Sequence, residues 1–74
     1  MKYNYNRLNG RIIEKFGKNK NFAIAMAVSE RTLSLKMNAK IDFKQSEIIK
    51  ACTLLEVPVI DIPAYFFDQK TQLN

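Results

Sequence analysis

Apolar residues recur along the chain at helical spacing, without the sustained apolar–polar alternation of a half-buried strand. Leu8, Ile12 and Phe16 stand four apart with Ile13 beside them, marking one face of a first helix. Gly17 is placed to end it by taking a left-handed backbone, while Gly10 inside it costs about 1 kcal/mol against alanine. A second short helix is predicted over 19–26, with Phe22, Ala23 and Met26 turned inward, before Ala27-Val28-Ser29 interrupts it. Ser29 is suited to cap a third helix, because its hydroxyl accepts from an otherwise unpaired backbone N–H. Glu30 suits the positive end of that helix, and Val28 with Leu33 forms a hydrophobic staple across its start. This helix runs through Met37, with Leu33 and Met37 on its inner face, and residues 38–41 follow as a loop. Asp42 with Gln45 predicts a capping box that opens a fourth helix to about Leu55, whose stripe is Ile48, Cys52 and Leu55 helped by Ala51. Pro58 and Pro63 bracket a last helical turn over 59–62, after which Tyr65, Phe66 and Phe67 fold back or extend a surface. The pattern predicts an all-α fold of five helices in one domain over residues 1–67, with 68–74 as a C-terminal tail.

The segment from Asn19 to Asn38, NKNFAIAMAVSERTLSLKMN, resembles the helix-turn-helix of phage Cro and immunity-repressor proteins. Ala23 stands where two helices cross and only a small side chain fits, Val28 and Leu33 lock the second helix down, Ser29 starts it and Asn38 closes it. The predicted helices over 8–16 and 45–55 sit where that family has its first and fourth, so the resemblance covers about residues 6–57 and implies a lambda-repressor-like DNA-binding domain. The whole chain also resembles a set of small phage proteins of similar length from Gram-positive hosts, among them modulator-of-repression (antirepressor) proteins, which act on the immunity repressor. The resemblance implies a transcriptional regulator of a lysis–lysogeny type of switch.

Carried over residue by residue, the resemblance implies a phosphate contact at Asn19, an exposed recognition flank of Glu30, Arg31, Thr32, Ser34 and Leu35, and a phosphate hydrogen bond from Asn38. Arg31 is the side chain able to meet guanine O6 and N7 bidentately, worth roughly 1–3 kcal/mol of discrimination. Lys18, Lys20, Lys36 and Lys40 flank the motif as nonspecific phosphate partners. Four positions depart from the family pattern. Ala27 and Ala39 replace glycines, Asn19 replaces a glutamine, and Glu30 puts a carboxylate where a neutral amide is common. Ile24 and Ala25 lie opposite the buried side of the second helix, and Leu35 lies on the outer flank of the third. Together with Arg31 they predict a protein contact in place of, or beside, a DNA contact. Three readings stay open: a Cro-like regulator on double-stranded operator DNA, an antirepressor or corepressor that covers the DNA-reading helix of the phage immunity repressor, and a helix-turn-helix antitoxin.

Composition narrows the chemistry. Seventy-four residues make one domain with a thin core, since a chain this short buries only about 60% of its unfolded surface. There is no histidine, and Cys52 is the only cysteine, which excludes a disulfide and a zinc site of the Cys-pair type. Cys52 reads as a buried apolar residue. No acid–base or nucleophile set stands out, so the expectation is a binding protein without catalysis, metal or cofactor. Residues 1–40 carry nine basic side chains against two acids, and residues 41–74 three against five. The basic front half suits a face that meets phosphate, or is a solvated lysine surface. The N-terminus has no apolar run behind Lys2, and the longest such run, 22–28, falls far short of the roughly 20 residues of a membrane span, so a soluble cytoplasmic protein of the bacterial host is expected. The aromatic cluster at 65–67 reads as core or as a surface for a partner or homodimer.

Overall fold

The computed structural model describes residues 3–69. It is all-helical, with α1 (Asn6–Phe16), α2 (Asn19–Met26), α3 (Glu30–Met37), α4 (Gln45–Leu55), a 3-10 turn (Val59–Asp61) and α5 (Ile62–Phe66). Among the described residues the only extended pairing is an isolated antiparallel bridge between Tyr3 and Gln69.

The first three helices begin and end where local chemistry directs. Gly17 ends α1 at φ 83°, its N–H returning to the Ile13 carbonyl. The turn between α2 and α3 is made at Ala27, which is left-handed at φ 61° and ψ 39°. The turn is closed by Val28 N–H donating to the Ala23 carbonyl at 3.0 Å. Ser29 caps α3, its Oγ accepting from the Thr32 N–H at 3.0 Å. An L side chain in the left-handed region is strained where glycine is not, so Ala27→Gly is expected to raise stability by roughly 0.5–1 kcal/mol. The check is the urea midpoint of the variant at unchanged denaturant slope.

Two boundaries differ from the sequence reading. The Asp42–Gln45 capping box does not form: α4 starts after Lys44, whose backbone N–H donates to Glu47 Oε1 at 2.8 Å. The Asp42 carbonyl instead accepts the Lys36 ammonium at 2.9 Å, a tertiary bond that local spacing does not reveal. Pro63 does not close the last turn. The 3-10 turn runs directly into α5, where Pro63 stands in the first turn and its missing N–H has no helical partner to lose.

One core joins all five helices. Leu8 and Ile12 of α1, Phe22, Ala23 and Met26 of α2, Leu33 of α3, Ala51, Cys52 and Leu55 of α4, and Phe66 of α5 are buried together with Tyr5 and Val57. Val28 packs against this cluster from the turn. The aromatic segment divides: Phe66 is in the core, Tyr65 half-buried and Phe67 exposed. Asn4 N–H donates to the Asp68 carbonyl, so residues 68 and 69, read from sequence as the start of a tail, lie along the N-terminal strap. The rest of that tail, 70–74, lies outside the described residues. Arg11 closes the far end of α4, donating to the carbonyls of Leu55 at 2.9 Å and Glu56 at 3.3 Å. Among the described residues no helix is long and apolar enough to cross a membrane.

Candidate functional site

The Ser29 cap and the buried Leu33 hold α3 against α2 with the opposite side of α3 outward. Along that side Glu30, Arg31 and Ser34 are exposed, while Thr32 and Leu35 are half-buried. Among the described residues Arg31 makes no ion pair or hydrogen bond, which leaves its guanidinium available. Thr32 Oγ1 lies 2.9 Å from Ser29 Oγ, and Asn38 Nδ2 donates to the Ser34 carbonyl at 2.9 Å, so both groups are engaged within the helix they flank. Asn38 thereby covers the last turn of α3.

Asn19 opens α2 half-buried, its Oδ1 shielded from solvent and without a hydrogen-bond partner among the described residues. It lines a shallow cleft of about 240 Å³ with Tyr5, Asn6, Asn9, Ser34 and Asn38. The fold thus brings Asn19, from the start of α2, together with Ser34 and Asn38 at the end of α3. Lys20 and Lys40 are exposed on either side of the motif. On α2, Ile24 is 68% exposed while Ala25 is half-buried.

Lys36 does not belong with the phosphate partners. Its side chain is 6% exposed, and its ammonium sits 2.8 Å from Glu47 Oε1. That ammonium also donates to the Asp42 carbonyl and lies 5.9 Å from the centre of the Phe43 ring. The pair ties α3 to the start of α4. Burial alone would push the Glu47 carboxyl upward, but the Lys36 hydrogen bond, the Lys44 N–H and the two ammonium charges together hold it below the usual glutamate range. The position was visible in the helical period, since Lys36 stands three after Leu33 on the same inner face. Residue type alone argued the other way.

The remaining titratable groups offer little chemistry. Burial pushes the Cys52 thiol up, which keeps it protonated and unreactive. Burial, then the Asp42 carboxylate and Tyr3, raises Tyr5. Among the described residues no three His, Cys, Asp or Glu side chains converge on a possible metal position.

A second surface lies across α4 and α5. Phe43, Gln45, Ile48 and Ile49 form one wall and Ile62 and Phe67 the other of an open, mainly apolar groove of about 450 Å³. Ile49 is 53% exposed and Phe67 46%. Phe43 is itself held by edge-to-face pairs with Phe66 at 5.3 Å and Tyr5 at 5.4 Å, which line an adjoining hollow. The sequence signal for it was Ile49, one apolar residue more than the α4 stripe needs.

No curated protein matches the chain. Among solved structures it is similar to the solution structure of the modulator of repression (MOR) of the temperate bacteriophage TP901-1 from Lactococcus lactis. The two are 53% identical over 97% of each chain, with a TM-score of 0.81. A family model described as a protein of unknown function, DUF739, matches residues 1–69, and the chain belongs to the DUF739 family.

Proposed function

We propose that this chain is a modulator of repression, a small phage regulator that binds the immunity repressor of its genetic switch and masks the repressor's DNA-reading helix. The observation that carries this reading is the 53% identity to the TP901-1 modulator over nearly the whole of both chains. The helix-turn-helix geometry is consistent with descent from a Cro-like DNA reader whose readers have been reduced. Lys36 is spent on Glu47, the Thr32 hydroxyl and Asn38 amide on local bonds, and Glu30 places a carboxylate where phosphates would approach. The exposed Ile24, with Ala25, Arg31 and Leu35, offers one surface for a protein contact. The work is binding without catalysis or cofactor, carried out in the cytoplasm of the bacterial host.

Direct operator binding is the second reading, favoured by Arg31, which has no ion-pair partner among the described residues, and by Lys20 and Lys40 beside the motif. Gel shifts with an operator fragment, the chain and the immunity repressor encoded with it separate the two. The chain alone is expected to leave the fragment unshifted and, added to the repressor–operator complex, to release free DNA. A shift by the chain alone that weakens steeply with salt, and loses sequence preference in Arg31→Ala, would establish operator reading instead.

A further inference from the structure

One ion pair holds the backbone on both sides of Phe43. The Asp42 carbonyl, before it, accepts the Lys36 ammonium at 2.9 Å, and the Lys44 N–H, after it, donates to Glu47 Oε1 at 2.8 Å. The same ammonium and carboxylate lie 2.8 Å apart. Among the described residues neither backbone group has another partner. The backbone bonds that turn the chain out of α3 stop at Ile41, whose N–H donates to the Leu35 carbonyl, so they do not reach Phe43. Phe43 is half-buried, with the Lys36 ammonium 5.9 Å from its ring centre. It lines both apolar concavities on this side, the groove and the adjoining hollow, and stands on a segment that no helix holds.

Stability alone does not account for the pair. Two charges taken out of water regain by their attraction little more than their desolvation costs, and an apolar pair of similar volume fills such a site about as stably. An apolar pair cannot, however, supply a donor to the Asp42 carbonyl. Lys36 reaches that carbonyl from the inner side of α3, so the pair fixes Phe43 relative to α3 as well as to α4. The Lys36 side chain is itself only 6% exposed, which keeps it out of reach of anything that docks on the surface.

Resting on the antirepressor reading, we propose that Lys36 is a positioning residue for repressor binding: held by Glu47, it sets through the Asp42 carbonyl where Phe43 stands on the surface, without touching the partner itself. Phe43 is the side chain through which it acts. The ordering of that ring is completed before the partner arrives, so less freedom is lost on association.

The test is calorimetric titration of the full chain with the purified immunity repressor encoded with it. Lys36→Met/Glu47→Gln removes the donor to the Asp42 carbonyl but keeps an acceptor for the Lys44 N–H. It also leaves the net charge of +5 unchanged, so long-range steering of the partner stays the same. Circular dichroism and urea unfolding are expected to show it folded, with binding about tenfold weaker than the parent's. Lys36→Leu/Glu47→Gln, a second repacking of the same site, is expected to lose as much. Phe43→Leu is expected to cost about tenfold by itself, and no more than about a further threefold when added to Lys36→Met/Glu47→Gln, because both changes act on one side chain. Ile12→Val, buried in α1 and destabilising in its own right, is expected to bind within about twofold of the parent. Parent-like binding by both repacked variants would overturn the proposal. So would losses that multiply to about a hundredfold with Phe43→Leu, or an equal loss in Ile12→Val, and each of these leaves the antirepressor reading standing. Absence of any binding by the parent chain would overturn that reading and the proposal with it.

Discussion

Replacing Glu47 by alanine is expected to remove about 3 kcal/mol of folding stability, because it strands a buried ammonium. Exposed ion pairs contribute roughly 0–1 kcal/mol, but here the side chains are only 6% and 19% exposed and the Lys36 charge has nowhere to reach water. After the substitution Lys36 keeps the Asp42 carbonyl and the Phe43 ring but no counter-charge. The N-terminus of α4 also loses the acceptor for the Lys44 N–H. The measurement is urea unfolding followed by circular dichroism. A double variant, Lys36→Met/Glu47→Gln, removes both charges and keeps that acceptor, so it is expected to recover to within about 1 kcal/mol of the parent. A loss below 1 kcal/mol in Glu47→Ala would mean that the pair is solvated in practice. The sign with pH follows from the lowered Glu47 pKa. Its contribution is complete above the ordinary glutamate range and is lost as pH falls through the depressed folded value. Parent and Glu47→Gln stabilities should therefore converge in acid and separate toward neutrality.

Leu33→Ala is expected to cost about 3 kcal/mol, since Leu33 is 1% exposed and its removal leaves a cavity under α3. A domain of this length holds on the order of 4–11 kcal/mol in total, so the variant should unfold at a much lower urea midpoint and show a substantial unfolded fraction when warmed. Leu33→Met, which keeps the volume, is expected to stay within about 1.5 kcal/mol. Both values come from the same urea series, and a small loss in Leu33→Ala would show that α3 is held chiefly by its Ser29 cap and by the Lys36–Glu47 pair.

The parts of the fold that were legible in the sequence are those set by neighbours along the chain. Gly17 and Ser29 marked the end of α1 and the start of α3 because each acts on backbone groups within four residues of itself. Ala27 stands where the resembling family has glycine, and its φ of 61° is the left-handed backbone that glycine adopts without strain. The cap of α4 was misread because Asp42 with Gln45 and Lys44 with Glu47 share the same spacing, and it is Glu47 that accepts the backbone N–H ahead of the helix. Lys36 was mistaken for a phosphate partner because lysine is rarely buried without a counter-charge, and the counter-charge lies 11 positions further on.

The candidate surfaces divide along the same line. The outward placement of Arg31 and Ile24 followed from the helical period and the staple, which need no knowledge of the rest of the molecule. The asparagine cleft and the α4–α5 groove could not be found that way, since each is walled by stretches far apart in sequence. By itself, then, the sequence determined the helices, the turn that sets α3 across α2 and the basic character of that face, all consequences of short-range hydrogen bonding and periodicity. Only the tertiary structure decided which charges are neutralised inside and which apolar side chains remain uncovered. Those outcomes depend on how separate helices pack, and packing joins residues that no local pattern connects.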